Sequence, residues 1–252
     1  MTATARKDRI AQAFGSHANA YDSAANVQWL VAQKLAARIG ETVPAGTPRV
    51  LEIGCGTGFL SMHLKTLYPK GDLVLTDIAQ SMLDRCRQRV GDGPTFLALD
   101  GETPKGIKGG FDLIAASLAI QWFVDLPAGL QRLAGLLAPG GRLMFATLGR
   151  DTFREWRAAH DRHGLDCGTP VYPGAEDFPW PDGFSHHLEE DRIQESYADG
   201  ASFVRALKTL GASEPAPGHR PLSPGAFRRL LASLDGGFPV TYHLLYGDIV
   251  AP

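Results

Sequence analysis

The chain has 252 residues, enough for one large domain or for one domain with an appended lobe. Hydrophobic residues make up 44% and charged residues 21%, an ordinary globular composition that can bury a sizeable core. The formal net charge of −2 provides no global attraction to nucleic acid, so we expect no nucleic-acid partner. No stretch reaches the roughly 18 apolar residues of a membrane span, and the amino terminus lacks the apolar core of a secretory signal.

The cysteines and histidines do not suggest a metal site. Cys55, Cys86 and Cys167 are widely separated and form no C-x-x-C pair. This spacing disfavours a disulfide framework or a zinc site and favours a reducing, cytoplasmic location. His186 and His187 are adjacent, but no third ligand follows at helical spacing. We therefore expect no metal.

In chain order, residues 5–40 show helical periodicity, interrupted at GSHANAYDSAA and followed by a linker rich in turn residues. Short apolar segments then alternate with amphipathic ones. They predict strands at RVLEIG, DLVLTD, TFLALD, FDLIAAS and RLMFATL, and helices at GFLSMHLKTLY, AQSMLDRCRQRV and LPAGLQRLAGLL. The strands are apolar on both faces, as expected in a parallel sheet that helices cover on both sides. The pattern predicts a doubly wound α/β domain.

After Leu148 the alternation weakens. DTFREWRAAHDRHG predicts a helix, and LDCGTPVYPGAEDFPWPDGF predicts a loop or small lobe that covers the carboxyl edge of the sheet. The remaining segments predict a strand at RIQESY, helices at ASFVRALKTL and SPGAFRRLLASL, and a final strand at VTYHLLYGDIVA. We expect this last strand to lie antiparallel at the edge. The prediction is a mostly parallel sheet of seven strands, with a lobe inserted after strand five.

Three alternating glycines, Gly54, Gly56 and Gly58, follow the first predicted strand. A glycine loop at this position lets a ligand approach the backbone closely. The dinucleotide-binding pattern G-x-G-x-x-G needs its third glycine at position 59, where this chain has phenylalanine. The loop instead reads E-x-G-x-G-x-G from Glu52, and it resembles motif I of the Rossmann-like class I S-adenosylmethionine-dependent methyltransferases. A tight strand-to-helix turn without a ligand is the alternative interpretation.

Further acids end the next two predicted strands. At Asp77 a carboxylate can accept hydrogen bonds from both ribose hydroxyls, although a helix N-cap is an alternative role. The resemblance implies that Asp100 meets the adenine amino group, although a turn before Gly101 is an alternative. It also implies that Glu52 engages the ammonium group of the cofactor, directly or through water. Together the three strand-end acids and the glycine loop indicate S-adenosylmethionine as the cofactor, with further expected contacts at Cys55, Ile78, Gly101 and Ser117.

The flanking segments narrow the resemblance. FDLIAASLAIQWFVDLPAGLQRLAGLLAPGGRLMFATL, AFGSHANAYDSAANVQ and VTYHLLYG look like the malonyl-[acyl-carrier protein] O-methyltransferases of biotin synthesis. That family carries L-A-x-Q-W after strand four and F-x-T-L at strand five. The resemblance implies methylation of the free carboxylate of malonyl-acyl carrier protein, or of malonyl-CoA. One departure is CGTPVYPGAEDF, which stands where the family usually has a V-N-x-F-like segment, in the region expected to touch the substrate.

The chemistry implied by this resemblance needs few special groups. A malonyl carboxylate is already ionised at neutral pH, because carboxyl pKa values lie near ~4, so it needs no general base. The protein must orient the reactants and replace water with fixed donors. The candidate catalytic residues are Tyr21, Gln121 and Trp122, of which Trp122 is alternatively a core aromatic residue. The candidate substrate-binding residues are Arg150, Arg154 and Arg157, which the spacing places on one helix face, with a solvated face as the alternative.

Two other functions stay open. One is methylation of another small carboxylic acid. The other is the role of a respiratory complex I assembly factor of the same architecture, of which some members hydroxylate protein arginine. That group more often has His-Trp at the position of Gln121-Trp122, which favours the biotin enzyme. We divide the chain into an N-terminal helical cap over the active site (1–44), an S-adenosylmethionine-binding core (45–150) and a substrate-side lobe that completes the sheet (151–252).

Overall fold

A computed structural model describes residues 3–17, 21–212 and 214–252. The strands are β1 (Arg49–Ile53), β2 (Asp72–Asp77), β3 (Thr95–Ala98), β4 (Phe111–Ser117), β5 (Leu137–Leu148), β6 (Ser185–Tyr197) and β7 (Phe238–Val250). The helices are α1 (Ala3–His17), α2 (Asn26–Thr42), α3 (Phe59–Leu67), α4 (Gln80–Val90), α5 (Leu126–Ala134), α6 (Arg154–Arg162), α7 (Gly200–Thr209) and α8 (Pro224–Ala232). Short 3-10 helices lie at Tyr21–Ala24 and Ile120–Trp122. The predicted interruption of the first helix falls partly outside the described residues.

The seven strands form one sheet in the order β3-β2-β1-β4-β5-β7-β6. The pairs from β3 through β5 are parallel, and β7 runs antiparallel to both β5 and β6. The predicted doubly wound, mostly parallel sheet is confirmed. In the part of the chain that the structure describes, none of the helices is both long and apolar enough to cross a membrane.

The final strand is antiparallel, as predicted, but its expected place at the edge of the sheet is wrong. β7 lies between β5 and β6, and β6 forms the edge. β7 is buried on both faces from Val240 to Gly247, whereas β6 alternates exposed polar residues with half-buried ones. A strand that is apolar on both faces gains most from neighbours on both sides, so the more polar β6 takes the edge. β6 also begins earlier than predicted, at Ser185 rather than at Arg192.

Each face of the sheet has its own apolar core. On one face α2, α3, α4 and α6 pack through residues such as Leu35, Leu64 and Trp156. On the other face α5 packs Leu130 and Leu133 against the sheet. Helices on both faces leave only the ends of the parallel strands accessible, so the carboxyl edge is where this fold offers room for a ligand.

Candidate functional site

The glycine loop leaves β1 with three residues of positive φ. Gly54, Gly56 and Gly58 have φ angles of 67°, 53° and 94°. A Cβ on Gly54 would lie 2.5 Å from the Cβ of Ala119, and one on Gly58 would lie 3.1 Å from the Cys86 sulfur. A Cβ on Gly56 would meet nothing within 4 Å, because Gly56 faces the cavity. Two of the glycines therefore allow the loop to pack, and Gly56 keeps space open for a ligand.

Asp77 ends β2 and is buried, with 8% of its surface exposed. Its Oδ2 accepts a hydrogen bond from the Gly56 amide at 2.9 Å, and its Oδ1 accepts one from the Ala79 amide at 2.8 Å. The carboxylate thus supports the start of α4 and also holds the glycine loop. Burial raises the pKa of Asp77, although its backbone hydrogen bonds favour the charged form. Asp77 also lines the cavity, and because a carboxylate oxygen can accept more than one hydrogen bond, Asp77 can also accept from ribose hydroxyls.

Glu52 lies beneath the glycine loop and is 1% exposed. Its Oε2 accepts a hydrogen bond from the Ser61 hydroxyl at 2.6 Å. Burial, with the nearby Cys86 and Asp77, raises the pKa of Glu52 well above its usual range. Because a neighbouring positive charge favours the ionised form, this carboxyl is suited to a cationic group of a ligand.

Asp100 lines the cavity beside the amino-terminal helix. Lys7 Nζ lies 2.6 Å from Asp100 Oδ2 and 2.8 Å from Glu102 Oε2. Asp100 Oδ2 also accepts a hydrogen bond from the Thr103 hydroxyl at 2.6 Å. Burial alone raises the pKa of Asp100, but the hydrogen bonds from Lys7 and Thr103 and the Lys7 charge lower it below its usual range. Asp100 therefore stabilises a turn and also lines the cavity. A ligand there would interact with the same carboxylate that pairs with Lys7.

One cavity brings together most of the residues predicted to bind the cofactor. Those that line it are Glu52, Gly54, Cys55, Gly56, Asp77, Ile78, Asp100, Gly101 and Ser117. Gly58 does not line it and instead begins α3 against Cys86. The expected contact of Gly58 with the cofactor therefore has no counterpart in this geometry.

Aromatic residues close the outer side of the cavity. Tyr21 and Trp122, both predicted catalytic residues, line it with Phe14 and Phe59. Phe14 packs edge-on against Trp122 with ring centroids 5.3 Å apart, and Tyr21 lies 6.4 Å from Phe59. Burial, with the charges of Asp77 and Asp22, raises the pKa of Tyr21, so the phenol stays protonated and can donate. Phe14, Tyr21, Phe59 and Trp122 thus form an aromatic wall on one side of the cavity.

The 3-10 helix at Tyr21 is attached to the glycine loop. Asp22 Oδ1 accepts a hydrogen bond from the Thr57 hydroxyl at 2.7 Å. Arg89 of α4 donates to the Thr57 hydroxyl at 2.9 Å and forms an ion pair with Asp22. This network holds Tyr21 over the loop, although the two segments are far apart in sequence.

Gln121 does not line the cavity, in contrast to its predicted place over a transferred methyl group. Its Nε2 donates to the Leu118 carbonyl at 2.7 Å, and its Oε1 accepts from the Thr147 hydroxyl at 3.5 Å. Leu118 has a φ of 50°, which is unfavourable for a side chain of this size, and it lines the cavity. Gln121 therefore stabilises the turn after β4 and faces a neighbouring groove.

The three predicted arginines do not share a helix face, so that prediction is wrong. α6 begins only at Arg154, because Phe153 before it has a φ of 60°. Arg150 precedes the helix and pairs with the exposed Glu176 and Asp177.

The other two predicted arginines differ from one another. Arg154 is exposed and lies 3.0 Å from Glu155 of its own helix. Arg157 is half-buried and donates to the backbone carbonyls of Arg150 and Thr152. Neither lines the cavity.

Two cavity residues of the amino-terminal region are not among those predicted from the sequence. Lys7 carries the ion pairs described above, and Gln28 of α2 lines the cavity with a buried Oε1 that has no hydrogen-bond partner among the described residues. Gln28 is the last residue of the AFGSHANAYDSAANVQ segment, which carried part of the family resemblance. Helical periodicity alone did not distinguish Gln28 from other positions of the helix.

No group of three or more His, Cys, Asp or Glu side chains gathers as a metal site within the described ranges.

Comparison with known proteins agrees with this site. A family model described as a methyltransferase domain matches residues 51–143. The chain is 45% identical over 250 residues to a malonyl-[acyl-carrier protein] O-methyltransferase of Magnetococcus marinus, covering 96% of this chain and 92% of that one. It is 40% identical over 240 residues to the biotin biosynthesis bifunctional protein BioCD of Bordetella avium, covering 95% of this chain and 51% of that protein.

A solved structure of low sequence identity shares the fold. The magnesium protoporphyrin IX methyltransferase of Synechocystis, with bound S-adenosylhomocysteine, has a TM-score of 0.53 at 15% identity, covering 89% of this chain and 83% of that chain. The fold, the glycine loop with its strand-end acids and the sequence matches all indicate a class I methyltransferase, and its cofactor is S-adenosylmethionine. With 45% identity across nearly its whole length, the chain belongs to the malonyl-[acyl-carrier protein] O-methyltransferase family.

Proposed function

We propose that this protein transfers a methyl group from S-adenosylmethionine to the free carboxylate of malonyl-acyl carrier protein, which forms a methyl ester for biotin biosynthesis. Malonyl-CoA is the alternative form of the same acceptor. The observation that carries the proposal is a single cavity in which the strand-end acids meet the aromatic wall, in a chain 45% identical to a relative named for this reaction.

The cavity residues fit the cofactor. The buried, unpartnered Oε1 of Gln28 and the carboxyl of Glu52 can both accept from an ammonium group. Asp77 would hold the ribose hydroxyls, and Asp100 with Gly101 would contact the adenine. Gly54, Cys55, Gly56, Ile78 and Ser117 would line the bound cofactor, and Gly58 would act through the shape of the loop. When bound, S-adenosylmethionine supplies a methyl group activated by a positively charged sulfur.

The residues of the protein then need only to orient the acceptor carboxylate and exclude water. The acceptor carboxylate is already ionised at neutral pH, since its pKa lies near ~4, so no proton must be removed. Tyr21 and Trp122 of the aromatic wall can donate to the carboxylate through the phenol and the indole N–H. Their position excludes water and restrains the acceptor, and orientation of this kind contributes up to ~7–11 kcal/mol to catalysis. Gln121 supports the turn that carries Trp122.

We assign each of three segments of the chain one part in this function. Residues 1–44 cap the cavity, residues 45–150 bind the cofactor, and residues 151–252 face the acceptor and complete the sheet. Cys55, Cys86 and Cys167 are free thiols, and we propose a cytoplasmic location, where thiols stay reduced.

The test is to incubate the purified protein with S-adenosylmethionine and malonyl-acyl carrier protein and to weigh the carrier. We expect the malonyl form to gain one methyl group and acetyl-carrier protein, which lacks the second carboxylate, to gain none. Malonyl-CoA and free dicarboxylic acids are assayed beside it. Methylation of a free acid alone would contradict the carrier assignment, and no transfer to any carboxylate would contradict the proposal as a whole.

A further inference from the structure

A groove of about 540 Å³ adjoins the cavity on one side, and we call it the lateral groove. Sites for small molecules typically enclose about 300–1,000 Å³. The lining of the lateral groove comes from the turn after β4, the end of β5 and the lobe after α6. One short 3-10 helix presents Gln121 to the groove and Trp122 to the cavity, and Phe123 lines both. A ligand in the groove would therefore lie beside Trp122, one of the proposed donors to the acceptor carboxylate.

The lateral groove is largely apolar. Leu126, Leu148 and Pro173 are among the residues that line it. Two further apolar residues of the lining are exposed, one in the turn after β4 and one in the lobe. Val124 is 46% exposed and Val171 is 95% exposed. Exposed apolar residues around one concave surface indicate a surface that a ligand or a partner covers.

The charges of the lateral groove disfavour an anion. Of the described residues that line it, none is Lys, Arg or His, and the two charged ones are Asp125 and Asp177. Asp125 Oδ1 caps α5 by accepting from the Ala128 amide at 3.1 Å, and its Oδ2 can accept another hydrogen bond. Asp177 Oδ2 lies 2.6 Å from the guanidinium of Arg150. Burial raises the pKa of Tyr172 to about 12, so this phenol of the groove is uncharged. The groove therefore suits a neutral ligand that carries hydrogen-bond donors.

A second groove touches the cavity at Phe59, but its polar groups are used within the protein. Its charged residues, Asp22 and Arg89, form an ion pair, and both contact the Thr57 hydroxyl of the glycine loop. The Arg89 guanidinium also lies over the Phe59 ring, 4.6 Å from its centroid. It thereby covers the residue that the second groove shares with the cavity. The lateral groove is the one that leads to Trp122 with polar groups to offer.

We propose that the lateral groove binds the pantetheine arm of the carrier-bound acceptor, while the malonyl group lies in the cavity. The inference rests on the proposed function, and it names the site for the part of the substrate beyond the reacting carboxylate. A pantetheine arm is uncharged, and its methyl and methylene groups suit the apolar lining. Its two amide N–H groups can donate to Asp125 and Asp177. CoA carries the same arm, but none of the described lining residues would pair with its anionic nucleotide, which favours the carrier protein.

This division of the substrate between two sites has a kinetic consequence. The arm does not change during methyl transfer, so its contacts are the same in the ground state and in the transition state. Uniform binding of this kind lowers KM without changing kcat. Removal of the arm from the substrate should therefore raise KM and leave kcat nearly constant.

The experiment compares methylation of malonyl-pantetheine with that of the malonyl thioester of methanethiol, which has no arm. With the wild type we expect a KM for malonyl-pantetheine that is lower by about tenfold or more, at similar kcat. Val124→Asp combined with Val171→Asp should raise that KM about tenfold, because a charge beside the apolar arm would lose its water. The methanethiol thioester should be unaffected. Val124→Leu combined with Val171→Leu keeps the lining apolar and should retain the wild-type KM.

Leu30→Asp is the matched control, because Leu30 is also an exposed apolar residue but lines the second groove. It should leave the KM of both thioesters unchanged. S-adenosylhomocysteine affinity and melting temperature should match the wild type in every variant, which excludes a loss of folding as the cause.

Three results would overturn this inference while the proposed function stands. The first is an equal KM for the two thioesters in the wild type, with methylation of both intact. The second is a rise in the KM of malonyl-pantetheine caused by Leu30→Asp rather than by the changes at Val124 and Val171, which would place the arm in the second groove. The third is a KM for malonyl-CoA far below that for malonyl-pantetheine, which would indicate a nucleotide site. A wild type that methylates neither thioester nor malonyl-carrier protein would overturn the proposed function as well.

Discussion

The cofactor side and the acceptor side of the molecule are built in different ways. On the proposed cofactor side, most of the ligand-facing residues lie between Glu52 and Gly101, at the ends of neighbouring parallel strands, and Gln28 and Ser117 lie outside this stretch. On the proposed acceptor side, the aromatic wall brings together Phe14, Tyr21 and Trp122, which come from segments far apart in sequence. A site made by strand ends is encoded in local sequence, whereas a site made by packed side chains depends on the whole fold.

Gly56→Val should abolish cofactor binding. The side chain would occupy the space that Gly56 leaves open and would also be strained at a φ of 53°. We expect the affinity for S-adenosylhomocysteine, measured by calorimetry, to fall by more than about a hundredfold, a loss of ~2.7 kcal/mol or more. Gly106→Val is the matched control, because Gly106 has a φ of 80° and open space around it but lies outside the cavity. Normal binding by Gly56→Val would refute this account of the loop.

Asp77→Ala should weaken cofactor binding by about tenfold or more and also destabilise the protein by ~1–2 kcal/mol. The affinity falls because the ribose acceptor and the hydrogen bond to the Gly56 amide are both lost. Asp125→Ala provides the control, since Asp125 caps α5 by accepting from the Ala128 amide at 3.1 Å and does not line the cavity. It should lower the melting temperature to a similar extent without affecting affinity. Equal affinity losses in both variants would assign Asp77 a purely structural role.

Tyr21→Phe should reduce turnover by about tenfold while cofactor affinity stays nearly constant, because only a hydrogen bond made to the acceptor is removed. Single-turnover methyl transfer beside a cofactor titration separates the two quantities. Tyr68→Phe is the control, since the Tyr68 hydroxyl donates to the Val43 carbonyl, outside the cavity. A loss of cofactor affinity with normal turnover at saturation would instead indicate that Tyr21 binds the cofactor.

The smallest effect is a proton released when the cofactor binds. Burial raises the pKa of Glu52 in the free protein, and an ammonium group beside it would lower that pKa again. Binding should therefore release up to one proton, and affinity should weaken by at most about tenfold per pH unit as the pH falls through the raised pKa. Calorimetry in buffers of different ionisation enthalpy counts the proton, and Glu52→Gln should remove this contribution. A release that persists in Glu52→Gln would belong to another group.

The two sides of the molecule differ in how much of them local sequence patterns can predict. The alternation of apolar segments predicted the sheet because it depends on local geometry. The cofactor followed from the resemblance of the glycine loop and its three acids to a known family. The placement of β7 was wrong, because strand order at the end of a sheet depends on which strand gains most from two neighbours. The shared helix face of Arg150, Arg154 and Arg157 was also wrong, because helix periodicity does not reveal that the chain turns at Phe153 before α6 begins.

By itself, the sequence determined the parallel α/β core, the cavity-facing position of Gly56 and the strand-end acids Glu52, Asp77 and Asp100. Each of these depends on the conformation of a few neighbouring residues. Only the tertiary structure decided that Gln28 leaves an acceptor unpaired in the cavity and that Gln121 stabilises a turn beside it. The same is true of Arg157, which donates to the backbone carbonyls of Arg150 and Thr152. Whether a side chain has a hydrogen-bond partner, and how deeply it is buried, depends on residues from distant segments. Both are decided only when the chain packs.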